Sequence, residues 1–152
     1  MDVNIAPNVA SRVLTITRVF NAPRTRVFEA FIDAGQMMQW LGPRGWTMTH
    51  LEADVRPGGV WRGCMRAIVD GRERWHGGVY REIVPNERLV FTFAFEEDGA
   101  PHTLVTITLE DRAAQTLMRF SQGVFDTSDD AEGYRGGWES EFDRLTGLLD
   151  RN

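Results

Sequence analysis

The stretch DDAEGYRGGWESEFDRLTGLLD, residues 129–150, decides the fold. Its large apolar residues recur at intervals of four, four, three and four, so they fall on one face of a helix. These residues are Tyr134, Trp138, Phe142, Leu145 and Leu149. Charged residues occupy other positions and predict a solvated face: Glu139, Glu141, Asp143 and Arg144. A helix with so wide an aromatic face needs a curved sheet to lie against.

Most of the preceding chain has the pattern of such a sheet. Two short helices are predicted. The first spans about 23–33 and is ended by Gly35, and the second spans about 36–40. From Trp46 onward the apolar period changes from about 3.6 residues to about two, which is typical of strands. Strands are predicted at about 13–20, 46–55, 59–69, 74–84, 88–96, 103–110 and 115–122. Turn sequences join the last six of them, which predicts an antiparallel meander.

The composition is that of a globular domain, with 42% hydrophobic and 26% charged residues in a chain of 152. The net charge of -5 argues against nucleic acid as a partner, because phosphate binding needs a basic stripe. No apolar run approaches the roughly 20 residues of a membrane span, and the first residues lack the features of a signal peptide. The single cysteine, Cys64, cannot form an internal disulfide. We therefore expect a cytoplasmic protein that binds neither membranes nor nucleic acid.

The hairpin turns predict which side chains share a face of the sheet. A two-residue loop at 70–71 puts Met65 opposite His76, and a four-residue turn before the next strand puts Phe91 opposite Glu82. One face then collects Trp61, Met65, His76, Tyr80, Leu89, Phe91, Phe93 and Phe95. The opposite face, which can meet water, collects Arg62, Arg66 and Arg81. Because the first face must be covered, we expect the final helix to lie on it.

Catalytic and metal-binding motifs are not found in this sequence. His50, His76 and His102 lie on different predicted elements without metal-ligand spacing, so we predict no metal, no cofactor and no catalytic residue. The polar candidates are His76 and Glu82 beside Tyr80, because polar groups in an apolar cavity can orient a ligand or transfer protons. Alternatively, His76 is a core histidine bonded to backbone and Glu82 lies in water at the rim.

The aromatic residues fit either an ordinary core or a small-molecule cavity between the sheet and the final helix. Trp40, Trp46 and Trp138 fall near predicted element ends or helix–sheet seams, where packing is least complete. We therefore predict a cavity. Its predicted ligand-binding residues are Trp40, Trp61, Met65, His76, Tyr80, Phe91, Phe93, Trp138 and Phe142.

Several motifs also resemble a known family. They are RVFNAP at 18–23, VFEAF at 27–31, WLGP at 40–43, DVRPGG at 54–59, GGVYREI at 77–83, PNERLVFT at 85–92 and GW at 137–138. In this order they resemble the START-like (SRPBCC) superfamily members called activator of heat-shock protein 90 ATPase homologues. The resemblance covers a single domain at 12–150, after a loose lead-in at 1–11. It implies an α+β helix-grip fold: a curved antiparallel sheet of about seven strands around a long final helix, with two short helices after the first strand.

The family resemblance implies no common catalytic set, so function depends on the predicted cavity. The leading hypothesis is a non-enzymatic protein that binds a small apolar or aromatic molecule between sheet and helix. One alternative is a module that contacts a chaperone or another protein partner, which a closed core would favour. Another is a polyketide-cyclase-like enzyme, which inward-pointing His76 and Glu82 would favour. The sequence specifies neither the ligand nor the oligomeric state.

Overall fold

A computed structural model of the chain describes residues 9–99 and 101–151. The predicted lead-in therefore lies outside the described residues at positions 1–8. Of its remaining positions, Val9 and Ala10 are helical and a turn follows, in which the Arg12 N–H donates a hydrogen bond to the Val9 carbonyl (3.0 Å). No helix in the described ranges is long and apolar enough to cross a bilayer.

The strands and helices of the described chain follow the predicted order. The strands are β1 Leu14–Phe20, β2 Trp46–Ala53, β3 Val60–Ala67, β4 Glu73–Val84, β5 Arg88–Phe95, β6 Thr103–Arg112 and β7 Gln115–Gly123. The helices are α1 Arg24–Ile32, α2 Ala34–Trp40, α3 Ser128–Asp150 and a short 3-10 turn, Glu96–Asp98. Gly35 lies inside α2 and does not end α1, because the extended backbone of Asp33 already separates the two helices.

The strands form one antiparallel sheet, in which seven strands are described, in the order β1-β7-β6-β5-β4-β3-β2. Strands β1 and β2 are neighbours in sequence but lie at opposite edges, so α1 and α2 span the distance between the edges. The long helix α3 packs on the sheet and most closely against β1 and α2. The predicted α+β helix-grip fold is confirmed.

The β3–β4 hairpin keeps the predicted faces but not the predicted partners. Met65 pairs with Arg74, because the Ala67 N–H bonds to the Arg72 carbonyl (2.8 Å) and lengthens the loop. The resulting shift is two residues, and an even shift leaves every side chain on its predicted face. The prediction of the faces is confirmed. The exposed residues include Arg62, Arg66 and Arg81, and the buried ones include Trp61, Met65 and Tyr80.

Next to its turn, the β4–β5 hairpin is shifted by one residue from the predicted register, and beyond a bulge the shift is two residues. A tight turn closes with a hydrogen bond from the Glu87 N–H to the Val84 carbonyl (2.9 Å), and an irregularity follows between Tyr80 and Glu82. Tyr80 pairs with Phe91, and the bulge turns Glu82 away from the aromatic face. The prediction that Glu82 shares that face is therefore wrong. Its carboxylate instead accepts a hydrogen bond from the exposed Arg88 (2.8 Å).

Helix α3 begins after Thr127, whose hydroxyl accepts a hydrogen bond from the Asp130 N–H (3.0 Å). The predicted apolar face is buried, with Phe142 and Leu145 fully enclosed. Trp138 packs on the concave side of the sheet, where its ring lies 4.7 Å from that of Phe120. The prediction that Trp138 packs on this face is confirmed.

Candidate functional site

A cavity of about 380 Å³ lies between the amino-terminal half of α3, strands β3–β5 and the loop after α2. Small-molecule sites in proteins usually enclose about 300–1,000 Å³, so this cavity is at the small end of that range. Its wall contains all of the predicted ligand-binding residues except Phe142. These are Trp40, Trp61, Met65, His76, Tyr80, Phe91, Phe93 and Trp138.

Phe142 belongs to the core behind the cavity wall. It is fully buried and stacks on Trp138, with ring centroids 5.6 Å apart. It also makes edge contacts with Phe20 (6.5 Å) and Phe31 (6.4 Å). Phe142 therefore supports the wall from the side of β1 and α1 and does not face the open space. Helical periodicity places it correctly on the apolar face but cannot predict this depth.

The three cavity-lining tryptophans from α2, β3 and α3 present carbon surface, because protein acceptors bind each indole N–H. These bonds join Trp40 to the Ala30 carbonyl (2.8 Å), Trp61 to the Thr92 carbonyl (3.1 Å) and Trp138 to Gln122 Oε1 (2.7 Å). A buried indole N–H normally needs such a partner. The hydrogen bonds therefore fix the three rings and leave only their carbon atoms to contact the cavity.

A glycine in β4 allows the close strand approach that positions Trp61. A Cβ at Gly78 would lie only 1.8 Å from the Thr92 carbonyl oxygen, so no other residue fits there without movement of the strands. The same carbonyl accepts the Trp61 indole N–H, and the Thr92 hydroxyl accepts the Val79 N–H (2.8 Å). Glycine inside a strand is a recognisable signal for such an approach.

His76 is a deeply enclosed polar residue of the cavity wall, at 5% exposure. Its ring stacks on Phe93 (5.4 Å between centroids) and lies 5.5 Å from Trp61. Nδ1 is buried without a hydrogen-bond partner, and no backbone bond to either ring nitrogen is found among the described residues. Burial, helped by the positive charge of Arg74, lowers the pKa of His76 to about 4. The imidazole is therefore neutral at pH 7 and is not the backbone-bonded core histidine of the alternative prediction.

Tyrosine hydroxyls provide further polar groups on the wall. Tyr80 is 4% exposed, and burial raises its pKa to about 12. Tyr134 on α3 is partly buried, and burial together with the negative charge of Asp98 raises its pKa to about 12. No partner for either hydroxyl is found within the described ranges. Both phenols are therefore neutral at pH 7 and free to donate to or accept from a bound molecule.

Arg74 is the cationic residue that the structure places on this wall. Its guanidinium lies over the Phe95 ring (3.8 Å) and pairs with Asp98 (2.8 Å) and Glu97. Two carboxylates thus compensate its charge at the mouth of the cavity.

Glu141 is the functional candidate that sequence reasoning missed, because the helical pattern assigns it to the solvated face. The structure instead places it on the cavity wall, where its Oε2 accepts a hydrogen bond from the Gly42 N–H (2.6 Å). Protein atoms surround the carboxyl, although the residue keeps some surface towards the cavity. Burial raises the pKa of Glu141 to about 8, against the opposing effects of that hydrogen bond and of Arg144. One signal was available: Glu141 follows Trp138 by three residues and therefore shares its face.

Other wall residues were not assigned to the site from sequence. They are Phe31, Met37, Leu41, Pro43, Trp46, Leu51, Arg74, Leu89, Phe95, Ile107, Asp129, Asp130, Gly133, Tyr134, Gly137 and Glu141. Within residues 9–99 and 101–151, no three histidine, cysteine or acidic side chains come together as a metal site.

Comparisons with known proteins place this architecture among characterised folds. The family model described as Activator of Hsp90 ATPase homolog 1-like protein matches residues 21–150. A solved protein from Chromobacterium violaceum is 31% identical, with a TM-score of 0.85 over 91% of this chain and 96% of that chain. One from Rhizobium leguminosarum is 28% identical, with a TM-score of 0.75 over 92% and 95% of the two chains.

A third solved structure, an AHSA1 protein from Silicibacter pomeroyi, is similar in fold alone. It is 19% identical, with a TM-score of 0.80 over 91% of this chain and 97% of that chain. No curated protein matches the chain.

Proposed function

The chain belongs to the family of Activator of Hsp90 ATPase homolog 1-like proteins, and from that membership we propose that it binds a small, mostly apolar or aromatic molecule between sheet and final helix. The observation that carries this proposal is an aromatic cavity of about 380 Å³ with unpartnered polar groups on its wall. Apolar walls with a few fixed polar groups are the usual composition of ligand sites.

The polar groups of the wall support a ligand role over a purely structural one. A buried polar atom without a partner costs about 1–3 kcal/mol, so a packed core normally avoids one. Here His76 carries such an atom, and the hydroxyl of Tyr80 has no partner among the described residues. A ligand that bonds to these groups would recover part of that cost.

The alternative functions have weaker support. A protein-interaction module needs no internal cavity, whereas this protein has a cavity that is large enough for a small molecule. The cyclase-like enzyme was predicted to use His76 with Glu82, and Glu82 lies outside the cavity in an ion pair with Arg88. We therefore propose binding without catalysis. We place this role in the cytoplasm, because the buried free thiol of Cys64 suits a reducing compartment.

A thermal-shift screen of apolar and aromatic metabolites tests the proposal. A ligand at about a hundredfold excess over its Kd should raise the Tm by about 5–10 °C, because it binds the folded state only. Calorimetry on each hit should give a negative heat-capacity change, since apolar surface is buried. Mass spectrometry of the same mixtures should recover the compound unchanged, and a new product would instead support an enzyme.

Two glycines of α3 provide a matched pair of variants for this screen. Gly133 lines the cavity and Gly136 does not, and a Cβ at either position meets no atom within 4 Å. Gly133→Phe should therefore obstruct the cavity and abolish the Tm shift, whereas Gly136→Phe should keep it. If no compound shifts the Tm of the unmodified protein, or if both variants bind equally well, the cavity is not a ligand site.

A further inference from the structure

Glu141 carries an unused acceptor in the cavity. Its Oε2 is held by the Gly42 N–H (2.6 Å), and Gly42 itself is fixed in a loop with φ +94°. In the part of the chain that the structure describes, Oε1 has no hydrogen-bond partner, yet it is not among the enclosed polar atoms. The carboxyl is thus held at one oxygen and available at the other. This arrangement fits a group that binds a ligand better than one that only stabilises the fold.

The charges around Glu141 favour a cationic partner. The wall carries further carboxylates at Asp129 and Asp130, whereas Arg74 is already paired with Asp98 and Glu97. Arg144 adds a positive charge near Glu141, and its guanidinium donates a hydrogen bond to the Leu41 carbonyl (3.5 Å). No Arg144–Glu141 ion pair is found among the described residues. The uncompensated charge in the cavity is therefore negative when Glu141 is ionised.

The aromatic walls suit the same kind of ligand. The indole N–H groups of Trp40, Trp61 and Trp138 are bonded to protein, so what these rings present to the cavity is aromatic carbon. Cations bind the faces of aromatic rings, and tryptophan binds them best. An aromatic molecule with a protonated amine therefore matches both the carbon surface and the acceptor.

Resting on the proposed binding function, we propose that the ligand carries a protonated amine whose N–H donates to Glu141 Oε1, with its apolar body among the tryptophans. The carboxyl gives up its proton as the amine binds, since the buried group is largely protonated in the free protein near pH 7.

The other titratable groups on the wall are His76, Tyr80, Tyr134, Arg74, Asp129 and Asp130. Two helices pack on α3: α1 carries Arg24, Arg26 and Glu29, and α2 carries no charge. Strand β1 contributes Arg18, which pairs with Glu139 and Asp143 on the outer side of α3.

Matched pairs of small molecules test this proposal: tryptamine with indole-3-ethanol, and 2-(2-naphthyl)ethylamine with 2-(2-naphthyl)ethanol. Each pair differs only in the amine and the hydroxyl. We expect each amine to bind about tenfold more tightly than its alcohol, because a hydrogen bond to a charged group is the stronger kind. Titration calorimetry at pH 7 in two buffers with different ionisation enthalpies should show release of a proton with the amine and none with the alcohol.

Two conservative variants locate the effect. Glu141→Gln keeps an acceptor for the Gly42 N–H but cannot ionise, so its amine-to-alcohol preference should fall to about one. Glu139→Gln makes the same carboxyl-to-amide replacement outside the cavity, where Glu139 pairs with Arg18 (3.2 Å), and should keep the preference. If Glu141→Gln does not fold, the preference and proton release of the unmodified protein decide the question.

The possible failures of the two proposals are distinct. Alcohols that bind as tightly as amines, or a preference that survives Glu141→Gln, would overturn the assignment of Glu141 and leave the binding function intact. An amine that binds without proton release would also overturn it. If neither the amines nor the alcohols bind, and the metabolite screen is equally empty, the binding function itself fails.

Discussion

The pKa values of two buried side chains on the cavity wall are shifted so that both groups are neutral near pH 7. His76 has a lowered pKa of about 4 and Glu141 a raised pKa of about 8, and burial is the main cause in each. Each group therefore resists its charged form until a partner is supplied. A cavity with neutral groups accepts apolar molecules at low cost, yet it can still develop a charge where a ligand compensates it.

His76 should make the fold sensitive to acid. Its pKa is about 6.5 in the unfolded chain and about 4 in the folded protein, so the unfolded state binds more protons. The contribution of the neutral His76 to the free energy of unfolding is therefore fully present above about pH 6.5. It is lost as the pH falls towards 4, which lowers the free energy of unfolding by up to about 3 kcal/mol. His76→Phe, which stays among the aromatic rings, should lose less stability over this range. Urea denaturation at several pH values measures the difference.

The matched control for His76 is His102→Phe, which removes an exposed histidine. This variant should follow the unmodified protein through the same acid range. If His76→Phe and the unmodified protein lose stability in parallel between about pH 6.5 and 4, the imidazole does not carry the acid sensitivity.

Among the secondary-structure elements, α3 has unequal halves. Its first half contains three glycines, of which Gly133 and Gly137 line the cavity and Gly136 does not, whereas its second half buries Phe142 and Leu145 completely. Glycine inside a helix costs about 0.5–1 kcal/mol relative to alanine. The first half is therefore intrinsically weak where it covers the cavity.

Gly136→Ala should stabilise the protein by about 0.5–1 kcal/mol and raise its Tm by about 1–4 °C. The site is exposed, and an added Cβ meets no atom within 4 Å, so only the helix propensity changes. Thermal denaturation followed by circular dichroism measures the effect. Gly42→Ala is the opposing control and should destabilise, because its φ is +94° and a Cβ would lie 3.2 Å from the Trp46 carbonyl oxygen. An unchanged or lowered Tm for Gly136→Ala would show that this glycine has a packing role.

The sheet shows which features a sequence pattern can predict. The faces of β3 and β4 were predictable because side chains alternate, and the actual two-residue shift at Met65 preserves the alternation. The partners were not predictable, because they depend on hydrogen bonds inside the turn. The bulge beside Tyr80 was not predictable either, and this single residue moved Glu82 out of the predicted site.

The site was less predictable than the fold, for reasons of depth and tertiary contact. Periodicity assigned Phe142 to the apolar face, but its distance from the cavity depends on how α1 and β1 pack behind it. The opposite error concerned Glu141: its polar residue type and the polar pattern of the helix both predict that it is exposed to solvent. Its burial follows from the loop at Gly42, which lies 99 positions away in sequence and supplies the N–H bond. The three-residue spacing from Trp138 places Glu141 near the apolar face, but it does not predict the bond to Gly42.

The topology of the whole molecule explains where the cavity forms. Strands β1 and β2 are the two edges of the sheet, and α1 and α2 join them across one end. Helix α3 packs most closely against β1 and α2, and Phe142 in its second half contacts both Phe20 of β1 and Phe31 of α1. Its first half has the cavity beneath it. The same helix is thus a core element at one end and a cover at the other.

This asymmetry should be visible in hydrogen exchange of the ligand-free protein. Amides at 133–138 and at 142–148 both lie beyond the first turn of α3, so both have helical hydrogen-bond partners. Local opening needs less free energy where few apolar contacts are broken, so the first group should exchange faster, by at least about tenfold. Mass spectrometry of peptides from the two halves measures the ratio.

Two perturbations of hydrogen exchange separate the possible causes. Gly136→Ala removes part of the weakness due to glycine and should reduce the ratio by only about two- to fivefold, since about 0.5–1 kcal/mol is involved. A bound amine or alcohol should instead slow exchange at 133–138 in proportion to its occupancy and leave 142–148 unchanged, because it fills the space beneath the first half alone.

Equal exchange along the whole helix would mean that α3 opens as one unit. A bound amine or alcohol should then slow exchange along the whole helix, including 142–148.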